Sequence, residues 1–103
     1  MRVYRTDPEV FIELADILKS LAHPQRLCIA KTLCVKEQSS VTDMQACLGG
    51  AQATVSQHLA KLKAAKIIKR KREGTTVFYS MYDEKMRRIV RNLINEFFSE
   101  SDI

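Results

Sequence analysis

Residues 52–72 read QATVSQHLAKLKAAKIIKRKR, and the pattern changes midway in a way that few folds accommodate. Val55, Leu59 and Leu62 recur at i, i+4 and i+7, the spacing of one buried helix face. After Ile67 and Ile68 the stretch turns basic and strand-like, Glu73-Gly74 supplies a turn, and Thr76-Val77-Phe78-Tyr79 returns. A short helix must therefore feed directly into a small β-hairpin. Charge is concentrated at the junction: residues 61–72 hold seven basic side chains and no acidic one, whereas residues 1–60 balance six against six. The net charge of +5 thus has its source in one short segment.

The flanking sequence predicts four further elements. Asp7 and Pro8 open a first helix as N-cap and first helical residue, where proline's missing N–H costs nothing. Within it Val10, Leu14, Ile17 and Leu21 recur at helical spacing beside Phe11 and Leu18, giving two apolar stripes. Pro24 starts a second helix that runs to about Cys34, and the polar residues 36–40 read as a loop. Thr42-Asp43-Met44-Gln45 has the form of a capping box and begins a short third helix, which Gly49-Gly50 ends. The last element, from about Asp83 to Ser99, carries Met86, Ile89, Val90, Leu93, Ile94, Phe97 and Phe98 on one broad side. Four helices, a hairpin and a fifth helix make one mainly α domain over residues 1–103. The expected fold is a winged helix-turn-helix with a small β-hairpin wing.

Length supports a single domain, because 103 residues bury one modest core. No run approaches the ~18 apolar residues of a membrane span, and MRVYRTDPEV lacks a secretory h-region, so a cytoplasmic location is expected. Three cysteines, Cys28, Cys34 and Cys47, form no CxxC pair and suit a reducing compartment. Cys28 and Cys47 fall on apolar helix faces and read as small buried hydrophobes.

The fourth helix predicts a reading surface for duplex DNA. At about 100° per residue, Gln57 points away from the apolar face, flanked by Ala53, Thr54 and Lys61, with Ser56 beside them and His58 intermediate. Glutamine can bond an adenine edge through both amide atoms, hydroxyls adapt, and a small alanine admits a thymine methyl. An ordinary solvated face would favour Lys and Glu, which are absent from residues 52–60. Arg70, Lys71, Arg72 and Thr75 in the hairpin are placed to meet the phosphate backbone or a minor groove. The surplus apolar surface on the first and last helices predicts a homodimer through Val10, Leu14, Ile89, Leu93, Ile94 and Phe97.

LAHPQRL at 21–27, TVSQHLAKLKAAKII at 54–68 and REGTTVFYSM at 72–81 resemble the ArsR/SmtB group of bacterial winged-helix repressors over roughly residues 10–98. The resemblance implies a homodimer, two recognition helices in successive major grooves of a palindromic operator, and repression relieved by an inducer. It also implies that Gln52, Thr54, Ser56 and Gln57 lie nearest the bases. Where members of the group bind metal through paired cysteines before the third helix, this chain has Ser40-Val41-Thr42-Asp43. Where others use Asp and His on the last helix, it keeps Asp83 but has Glu96 and no histidine there. Hydroxyls and lone carboxylates hold soft cations poorly, so no metal and no cofactor is expected.

Three other readings compete with a DNA-binding regulator of this kind. A redox-responsive regulator would use Cys28, Cys34 or Cys47, yet no cysteine follows Cys47 to pair with the second helix. An RNA- or protein-binding winged helix would not need the polar face of the fourth helix. An enzyme would need a phosphate loop, a nucleophile motif or paired carboxylates in a pocket, and the sequence has none.

Overall fold

The computed structural model describes residues 1–98. Its order is α1 (Pro8–Leu21), α2 (Pro24–Val35), β1 (Ser39–Ser40), α3 (Val41–Leu48), α4 (Gln52–Ala64), β2 (Ile68–Glu73), β3 (Thr76–Met81) and α5 (Glu84–Ile94). Five helices surround one core, whose fully buried members include Ile29 and Leu33 of α2, Met44 of α3, Val55, Leu59 and Leu62 of α4, and Val90 of α5. The i, i+4, i+7 triplet of α4 is therefore its packed face. Burial of these side chains is the main force holding α4 against α2 and α3, at about 1.5–3 kcal/mol for each large aliphatic.

Three boundaries differ from the sequence expectation. The 36–40 segment is not wholly loop: Ser39 pairs with Tyr79 and Ser40 with Phe78, making an antiparallel sheet of order β1-β3-β2. That pairing holds Ser40 extended, so Ser40 rather than Thr42 caps α3, its hydroxyl accepting from the Asp43 N–H at 3.2 Å. Gln45 does not reach back as a capping box requires; its amide donates to the Gly50 carbonyl at 3.1 Å and braces the turn into α4. The last helix stops at Ile94, and residues 95–97 form a turn. The turn brings the Phe98 ring under the Lys31 ammonium, 4.3 Å from its centroid, so Phe98 packs without extending the helix. Ser99, the expected end of that helix, lies outside the described residues.

At the start of α1, Asp7 makes no side-chain cap bond; its Oδ2 instead accepts from the Thr6 hydroxyl at 3.1 Å. The α5 cap is fully formed, with Asp83 Oδ1 accepting from the Met86 N–H at 2.8 Å. Arg87 then reaches from α5 to the end of α2, donating from Nη1 to the carbonyls of Leu33 and Cys34 at 2.9 and 2.7 Å. Those carbonyls have no partner within their own helix, so a charged donor satisfies them and locks the two elements together.

Candidate nucleic-acid interface

The turn between α3 and α4 needs two left-handed residues, and Gly49 (φ 75°) and Gly50 (φ 79°) supply them at no steric cost. Beyond it the N-cap of α4 is Ala51, which offers no side-chain acceptor. At the other end Lys66 adopts φ 58°, while the Lys66 and Ile67 N–H groups donate to the carbonyls of Lys63 and Leu62, both at 3.0 Å. This is a Schellman ending with lysine where glycine is usual.

The outer face of α4 is as expected. Gln52, Ala53, Thr54, Ser56, Gln57 and Lys61 are all exposed, and no carboxylate stands in the first turn. Gly74 and Thr75 form the hairpin tip, one residue later than expected, with Gly74 at φ 61°. In the ladder Arg70 lies opposite Tyr79 and Arg72 opposite Val77, whereas Lys69 faces Ser80 and Lys71 faces Phe78. Because strand side chains alternate, the arginines project from one face of the wing and the lysines from the other. Arg70, Lys71, Arg72 and Thr75 are exposed. Lys71 is 3.7 Å from Glu73, an exposed pair worth little, and neither arginine joins an ion pair among the described residues. The basic charge of the wing is free to meet an external anion.

His58 is the exception among the expected reading residues. It is only 7% exposed, and its ring turns under the helix toward α2. Arg26 Nε donates to its Nδ1 at 3.2 Å and Gln25 Oε1 lies 2.9 Å from its Nε2. Burial, then the neighbouring His23 and Arg26, lower the His58 pKa. Position 58 sits at the angular edge of the apolar face, and hydrogen-bonding partners on another helix decide which way it turns. Arg26 and Gln25, both within LAHPQRL, are residues that periodicity could not assign to this site.

The expected dimer residues also divide. Val10, Leu14, Leu93 and Phe97 are exposed and lie outside the buried core, Phe97 at 84%; Ile89 is half-buried. Ile94 is a core residue, because α5 turns it inward with Met86 and Val90. Phe11, Leu18 and Leu27 join the exposed set without having been assigned to it. Cys47, expected to be buried, is exposed; Cys28 is half-buried and Cys34 buried, and all three are free. Burial raises the Cys34 pKa against the opposing pull of Arg87 and Arg91. Among the described residues, no group of three His, Cys, Asp or Glu side chains is arranged to hold a metal. No described helix is long and apolar enough to cross a membrane.

An exposed polar helix after a glycine turn, followed by a basic hairpin, defines the winged helix-turn-helix class of regulators. Known proteins agree. No family model matches the chain. It is 39% identical over 79 residues to the transcriptional repressor PagR of Bacillus anthracis, covering 77% of this chain and 79% of that protein. It is 41% identical over 81 residues to the biofilm growth-associated repressor of Agrobacterium fabrum, covering 79% and 68% respectively. The crystal structure of the repressor BigR from Xylella fastidiosa superposes with a TM-score of 0.80 at 30% identity, covering 92% of this chain and 93% of that one. The chain belongs to the ArsR/SmtB family of winged-helix transcriptional repressors, a family of regulators and not of enzymes.

Proposed function

We propose that the chain represses transcription in the cytoplasm as a homodimer that reads a palindromic operator through α4 and grips the backbone with the wing. The observation that carries this reading is the exposed face of Gln52, Thr54, Ser56 and Gln57 beside a wing whose arginines join no ion pair among the described residues. Phosphate contacts from Arg70, Lys71 and Arg72 would give affinity, and base-edge contacts from α4 would give sequence preference. The repressor names of the relatives support the direction of the output.

Exposed apolar side chains on α1 and α5 support self-association. Val10, Phe11, Leu14 and Leu18 on one helix, with Leu93 on the other and Phe97 just beyond it, are exposed apolar side chains that a second copy could cover. Two copies would place two α4 helices about one DNA turn apart, near 34 Å, so the operator should have two half-sites at that spacing. Selection of duplexes from a random pool tests the reading. An enriched inverted repeat, with sedimentation at about twice 11.8 kDa, is expected. Absence of enrichment, or a clean monomer at low micromolar concentration, would contradict it.

A further inference from the structure

The only side-chain hydrogen bonds that α4 makes to another helix, among the described residues, are those of His58. Apolar packing of Val55, Leu59 and Leu62 holds the helix close but is non-directional, so it sets distance better than rotation about the helix axis. Gln45 braces the turn before α4 at the Gly50 carbonyl, but Ala51 leaves α4 uncapped, and no other side chain of α4 itself bonds to another helix among the described residues. A hydrogen bond to one ring atom is directional. His58 is therefore placed to fix which way Gln57, its neighbour in sequence, points.

Its partner reaches further. Arg26 donates through Nε to His58 and through Nη1 to the Ser20 carbonyl in the last turn of α1, each at 3.2 Å. One planar guanidinium thus spans the proposed dimer helix and the reading helix, a geometry that lysine's single ammonium does not reproduce. The ring itself has one workable state. With Nδ1 accepting from Arg26, the proton sits on Nε2 and is donated to Gln25 Oε1. The ring of His23, the N-cap of α2, lies 4.4 Å away, centroid to centroid.

We propose that Arg26 and His58 are positioning residues for operator reading, coupling the orientation of α4 to the end of α1. The proposal rests on the assignment of α4 as the DNA-reading helix. Protonation of His58 removes its acceptor and sets a third cationic centre beside Arg26 and, where it is charged, His23. No carboxylate forms an ion pair with the ring among the described residues. The charged ring is disfavoured in the clamped arrangement, so acid should loosen the clamp below the ordinary histidine range.

The test uses a duplex enriched by the wild-type protein from a random pool and a scrambled duplex of equal length. The readout is the ratio of the two affinities, which cancels general charge effects. Arg26→Met should lower this ratio about tenfold while leaving scrambled-duplex affinity within about twofold. The wild-type ratio should hold near neutrality and fall severalfold as pH drops below the ordinary histidine value. His58→Asn, whose Oδ1 can accept from Arg26 without titrating, should keep a near-normal and flat ratio. If His58→Asn follows the wild-type pH profile, or Arg26→Met discriminates like wild type, the proposal is overturned. Should Arg26→Met fail to fold, the His58→Asn profile decides alone. A pool that yields no enriched duplex overturns the DNA-reading assignment itself, and the clamp with it.

Discussion

The helices α4 and α5 are of similar length and lie on the same core, yet they are held in opposite ways. Asp83 caps α5, and its Arg87 is bonded to the end of α2. Helix α4 has alanine at its N-cap and a left-handed lysine just past its C-cap, so neither end follows local preference. It is secured from beneath, by buried aliphatics and by the contacts of His58 with α2. The difference follows from what each helix presents outward. Helix α5 commits polar groups to its own end and to α2, whereas the exposed polar groups of α4 stay uncommitted, as the proposed reading of a duplex requires. Departures from local rule gather where function competes with stability.

The largest expected effect tests the buried anchorage of α4. Leu59→Ala removes a fully buried side chain and should cost about 2–5 kcal/mol by chemical denaturation. Leu93→Glu alters a side chain 41% exposed in the single chain, and should leave the fold intact while shifting sedimentation from dimer to monomer. If both variants behaved alike, the contrast between the buried face of α4 and the proposed partner face of α5 would fail.

The helix ends should respond in opposite directions. Asp83→Ala deletes the α5 cap and should destabilise by about 0.5–2 kcal/mol. Ala51→Ser should supply the missing acceptor at α4 and stabilise by about 0.5–1 kcal/mol. Lys66→Gly should likewise stabilise, by about 1 kcal/mol, since glycine takes φ 58° without strain. Thermal unfolding measures all three, and a loss of stability in Ala51→Ser would show that α4 is not under-capped.

The smallest effect concerns pH. The His58 pKa is lowered in the folded chain, so the unfolded chain binds that proton more readily. Its contribution is fully present above the ordinary histidine value and declines as pH falls from there toward the lowered folded value. Unfolding free energies of wild type and His58→Asn should therefore diverge on the acid side and run parallel above neutrality.

Helix periodicity made the α4 face, the hairpin and the order of elements legible, because Val55, Leu59 and Leu62 are spaced for one side and Gly74 marks the turn. What stayed hidden depends on partners distant in sequence. Ser39 and Ser40 form a strand only because Phe78 and Tyr79 lie beside them, and two residues carry no period of their own. His58 turns inward because Arg26 and Gln25 await it, a fact that no wheel of α4 alone contains. The apolar run of α5 continues past Ile94 in sequence, but the chain turns there and Phe98 reaches α2 without helix. The same run predicts Ile94 at a partner face, whereas the folded chain turns it into the core.

In the proposed complex the outer face of α4 reads base edges while the wing holds the backbone. Gln57→Ala, measured against both the enriched duplex and a scrambled one, tests this most directly. A loss of about 1–3 kcal/mol in discrimination with scrambled-duplex affinity unchanged is expected, whereas Arg72→Ala should weaken both duplexes alike and flatten the salt slope by about one unit. Unaltered discrimination in Gln57→Ala would contradict that reading.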